Sequence, residues 1–69
     1  MSTAKVIELV GSSTASWQDA VASAVAEASE TLHGITGVEV VGFTAKVENG
    51  KITAYKATCK VAFRVRDNR

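Results

Sequence analysis

The sequence predicts a small α+β domain of element order β-α-β-β: a three-stranded antiparallel sheet, strand order 1-3-2, wrapped on one helix. Three observations lead there. The run "AYKATCKVAFRV" places Tyr55, Ala57, Cys59, Val61, Phe63 and Val65 on one side of an extended strand, and polar or small residues on the other. Trp17, Ala20, Val21, Ala24, Val25, Ala28 and Leu32 form a single apolar stripe at helical spacing. Between two strand-like runs lies Asn49-Gly50, the pair that a type I′ turn with two positive φ angles selects.

Taken in order, "AKVIELVG" is the first strand, rich in β-branched residues and ended by Gly11. "SSTAS" reads as the helix entry, with Ser13 the first choice of N-cap and Ser16 the alternative. The stripe then defines the helix, with Gln18, Asp19, Ser23, Glu27 and Glu30 around the rest of it. Gly34 suits the position just past the last turn, and His33 falls beside it. "ITGVEVVGFTAKV" is a long second strand. Its interior Gly42 suggests a bulge or a close backbone approach. A regular alternation would place Val38 and Val40 on one face with Gly42, Thr44 and Lys46. The third strand follows the Asn-Gly turn. If strand 1 lies beside strand 3, every neighbouring pair is antiparallel.

At 69 residues the chain predicts a single domain spanning 1-69, with an ordered core from about 4 to 66. Such a short chain buries only about 60% of its unfolded surface. One cysteine rules out an internal disulfide, and a lone His33 and a lone Cys59 rule out a Cys/His metal cluster. Subunit association is the remaining source of stability. No signal-peptide pattern and no run long enough to span a bilayer occur, so a cytoplasmic location and no membrane partner are expected.

No enzyme is expected. The seven carboxylates are scattered, Ser12 and Ser13 belong to the helix entry, and no glycine pattern cradles a phosphate. Catalytic and metal-ligating residues are therefore both assigned as none.

One helix covers one face of the sheet. The other face carries Lys56, Thr58, Lys60 and Arg64, and three uses compete for it. Solvation is ordinary for an antiparallel sheet. Nucleic-acid binding would want exposed aromatics among the basic residues, and the net charge of +1 gives it no support. The third use is contact with further copies, favoured for part of the face because the strands outrun the helix and would leave open edges.

The segments "KVIELVGSS", "SWQDAVASAVAEASETL", "GVEV" and "VENGKITAYKATCKVAFRV" together resemble the dodecin family along nearly the whole chain. The resemblance implies a hollow homododecamer. In its flavin-binding members, pairs of flavins lie at subunit interfaces, the ring stacked on a tryptophan and held at its edge by a glutamine. Their implied role is to store and quench flavin without turnover.

Gly37 stands here at the tryptophan position, Lys56 at the glutamine position, and Thr44 at that of a basic residue. Glycine offers no ring to stack on, and lysine donates where an amide both donates and accepts. Trp17 begins the helical stripe, which marks it as an anchor at the helix N-terminus or a subunit contact. Gly37 and Lys56 are thus the candidate cofactor-binding residues, with the cofactor unidentified; FMN and riboflavin follow from the resemblance alone.

The function expected is small-ligand storage in a dodecin-like particle, with Lys56 meeting negative charge and Gly37 leaving room beside it. One alternative is a structural particle without a ligand, in which Lys56 joins an inter-subunit ion pair with Glu39 or Glu48. Another is a calcium-binding variant, such as some relatives are described to be, although no loop of clustered oxygens is evident. Expected partners are further copies of the chain and a small molecule.

Overall fold

A computed structural model of the chain describes residues 3–65. Strand β1 (Thr3–Ser13) leads to helix α1 (Trp17–Ser29), then β2 (Ile35–Glu48) and β3 (Lys51–Val65). β3 is central and pairs antiparallel with both neighbours, so the sheet order is β1-β3-β2 as the sequence predicts. The expected ordered end at residue 66 lies outside the described residues.

β1 does not stop at Gly11. It continues to Ser13, because Gly11 is where helix and sheet come closest: a Cβ there would lie 2.1 Å from the Ala20 carbonyl oxygen and 2.9 Å from the Ala24 Cβ. Glycine on the strand meets alanine on the helix, and the backbones can touch. Ala20, Ala24 and Ala28 are the buried residues of α1; Ala20 and Ala24 pack with Ala57 and Cys59 of β3, with Leu9 and Val21 at the margin.

The helix entry also differs from the first choice. Ser16 is the N-cap, its hydroxyl accepting from the Asp19 N–H at 3.0 Å. Buried Ser13 sits a step earlier. Its hydroxyl donates to the Asp19 carboxylate at 2.7 Å and accepts from the Ala15 N–H at 2.9 Å. Two serines therefore order one turn, and only the later one has the capping geometry.

At the other end α1 stops at Ser29, whose hydroxyl donates back to the Val25 carbonyl at 2.8 Å and competes with helix continuation. Leu32 and exposed His33 consequently lie in the link to β2. Gly34 does have positive φ (+77°), but it is not the residue after the helix. Its carbonyl instead accepts from the Arg64 N–H at 2.9 Å and starts the β2–β3 pairing.

Register decides the faces. Leu9, Cys59 and Val40 form one row across the sheet, and Ile7, Val61 and Val38 the next; both look toward the helix side with buried Cys59 and Val61. The expectation that Val38 and Val40 share the open face with Gly42, Thr44 and Lys46 is thus corrected. A bulge between Val40 and Gly42 gives β2 one extra residue, Val41, and reverses the alternation there. Further irregularities lie at Ile35/Gly37 and Lys46/Val47.

The chain is long rather than round, 56 × 19 × 13 Å, with a radius of gyration of 14.3 Å against about 11 Å for a compact domain of this length. It exposes 5102 Å², whereas a compact monomer of 7.2 kDa exposes about 4,100 Å². Thirteen helical residues span about 20 Å and fifteen strand residues about 50 Å, so the β2–β3 hairpin runs well past the helix. Val47 and Ile52 near its tip are left exposed, as are Val6, Val10 and Phe43 elsewhere on the sheet.

Candidate functional site on the open sheet face

The face away from α1 is built from rows fixed by the register. One row reads Ser12–Lys56–Thr44, the next Val10–Thr58–Gly42, then Glu8–Lys60–Glu39, then Val6–Ala62–Gly37. Lys56 and Gly37 therefore do share a face, as the sequence reading requires. They do not share a pocket within one chain. Ala62, opposite Gly37, lies six residues along β3 from Lys56, or about 20 Å. A ligand touching both positions needs a second copy of the chain.

Gly37 is exposed, and a Cβ built on it would meet nothing within 4 Å; the same holds at Gly42. Both glycines leave open room over the face. Lys56, Ser12 and Thr44 are exposed, and Thr58 is half-buried. Among the described residues the one ion pair is Lys46 with Glu48, at 3.2 Å between exposed side chains, so Lys56 keeps its charge unpaired. The row Glu8–Lys60–Glu39 sets one cation between two carboxylates.

Neither ligand that the sequence resemblance implies fits a single chain as it stands. For a flavin, Gly37 supplies no stacking face and Lys56 no acceptor. For calcium, six to eight oxygens are needed. No group of three or more His, Cys, Asp or Glu that could hold a metal occurs among the described residues, and Lys60 separates Glu8 from Glu39.

Trp17 is placed where the helical stripe put it. Its indole N–H donates to the Thr44 carbonyl at 2.8 Å, and its ring meets Tyr55 edge-on at 4.8 Å and Phe43 at 6.0 Å. It clamps the helix start to edge strand β2 and central β3, on the side opposite the Lys56 row. A cleft of about 520 Å³ escaped the sequence reading. Ile7, Leu9, Ala24, Ala28 and Leu32 line it, with Glu27 and Glu30 among its polar residues. Its only trace in the sequence is the smallness of Ala24 and Ala28, which the periodicity counts as core.

Comparison with known proteins agrees with this architecture. The family model described as Dodecin matches residues 3–66. The chain is 37% identical over 67 residues to the calcium dodecin of Mycobacterium tuberculosis, covering 96% of this chain and 93% of that protein. It resembles the dodecin structure from Streptomyces coelicolor with a TM-score of 0.93 and 31% identity, over 97% of this chain and 96% of that one. The structure of the M. tuberculosis calcium dodecin, described as calcium chelating with a novel calcium-binding site, gives a TM-score of 0.82 and 32% identity over 97% and 96% of the two chains.

Proposed function

The chain belongs to the dodecin family, and from that premise we propose that it is the subunit of a hollow homododecamer that holds a small ligand between copies and catalyses nothing. The chain folds as one domain over 1-69 and works in the cytoplasm on this reading. The observation that carries it is the surface: roughly 1,000 Å² more than a compact monomer of this mass exposes, much of it on strands and a hairpin with nothing of their own chain to cover them. Assembly buries that surface, and it supplies the second copy that a ligand touching both Gly37 and Lys56 requires.

Lys56 meets the negative charge of the ligand in this assembly, and Gly37 leaves room for its body. No ring stack forms at Gly37, so a flavin ring by itself adds little to binding. Native mass spectrometry with and without FMN and riboflavin tests the reading. A twelve-subunit mass is expected, and a monomer at micromolar concentration overturns it.

A calcium-holding particle is the second reading, favoured by the 37% identity to a calcium dodecin. The described carboxylates of one chain form no such cluster, so several copies would have to combine theirs. Calcium titration of the assembled protein distinguishes the two readings. Stoichiometric uptake that survives Lys56→Ala favours calcium, and no uptake removes it.

A further inference from the structure

We infer that Lys56, with the hydroxyls of Thr44 and Thr58, forms a seat for an oxyanion, a phosphate or phosphomonoester group, on the open face of the sheet. The inference rests on the ligand-holding reading above and names the chemistry of that ligand. Ser12 and Thr44 stand directly opposite Lys56 on its two sides. Directly opposed side chains have Cβ atoms about 5 Å apart, so Lys56 and Thr44 reach one small group together, while Ser12, about 10 Å from Thr44, stands on the far side of Lys56. Thr58 adds a third donor from the adjoining row, two residues along β3.

Its partner in that row, Gly42, presents no side chain, and the space above it is empty to 4 Å. An anion can therefore settle between Thr44, Thr58 and Lys56 without displacing a side chain. The carboxylates of the face stand back from it. Glu8 and Glu39 belong to the row of Lys60, four residues or about 13 Å further along β3. On the other side Glu48 is held by Lys46 at 3.2 Å.

Every group in the seat can donate: one ammonium and two hydroxyls that turn freely. That set satisfies a tetrahedral oxyanion, and its full positive charge favours an anion over a neutral ring. The Trp17 bond to the Thr44 carbonyl fixes the strand that brings Thr44 to the seat.

The test is isothermal titration of the assembled protein with inorganic phosphate, FMN and riboflavin. Phosphate and FMN are expected to bind and riboflavin not to. Lys56→Gln should weaken phosphate at least about tenfold, in line with loss of a charged hydrogen bond. Lys56→Arg should keep most of the affinity, and the particle mass should stay the same in both. If Lys56→Gln prevents assembly, Thr58→Val decides: a several-fold loss supports the seat, and unchanged phosphate affinity overturns it. Riboflavin binding as tightly as FMN, indifferent to Lys56→Gln, overturns the oxyanion seat and leaves the ligand-holding particle standing. Failure of every ligand to bind overturns both.

Discussion

At Gly11 the space for a side chain is already taken by the helix backbone, since an added Cβ would lie 2.1 Å from the Ala20 oxygen. Gly11→Ala is expected to lower stability by at least about 2 kcal/mol through forced separation of helix and sheet, read as a drop in the denaturation midpoint. Ser16→Ala should cost about 1 kcal/mol by removing the cap. Trp17→Phe keeps an aromatic ring and loses the bond to Thr44, for a further cost of about 1 kcal/mol by the same measurement. Residue chemistry was partly legible in the sequence. Trp17 was readable from its place in the stripe as an anchor or a subunit contact, and its bond to Thr44 and its contacts with Phe43 and Tyr55 make it an anchor. Ser13 and Ser16 were not separable, because both are good caps, and the choice falls to which one has its backbone outside the strand. Gly11 looked like a terminator, although its reason is a neighbour nine residues away in sequence.

Among the elements, β3 and the turn before it were the most readable. Asn49 and Gly50 have φ of 54° and 75°, as a type I′ turn requires. Gly50→Val forces a β-branched residue into that conformation. It should cost about 1–2 kcal/mol, read as a drop in the denaturation midpoint. β2 was the least readable. Its valines 38, 40 and 41 satisfy either phase of a two-residue period, and the bulge that selects the phase depends on pairing with β3. The end of α1 was misplaced for a related reason: Leu32 keeps the helical period by coincidence, while Ser29 already bonds backward. The Lys56 row could be named one strand at a time, but the register that seats Ser12 and Thr44 on either side of it could not.

At the scale of the whole molecule, the core is small. The buried apolar residues are Ala20, Ala24, Ala28, Ala57, Cys59 and Val61, while Val6, Val10, Phe43, Val47 and Ile52 lie exposed. Stability on these terms comes mostly from contacts between copies, so the melting temperature should climb with protein concentration. Differential scanning fluorimetry across a hundredfold dilution series checks this; a midpoint that does not move would mean the lone chain is stable by itself. The need for partners was legible from length alone. The number and arrangement of copies were not, because they depend on how two edges and one face meet their equals.

The position of Trp17 also gives the molecule an optical signal of its own. The chain has one tryptophan and one tyrosine, and their rings lie 4.8 Å apart. At that distance tyrosine excitation passes to the indole almost completely, so the folded protein emits as tryptophan alone. Tyrosine light returns only when the start of α1 leaves the sheet. Because Trp17 is partly open to solvent in the lone chain, the colour of its emission also responds if another copy covers it. Undocking of the helix and closure of the particle can thus be followed separately, without attaching a dye.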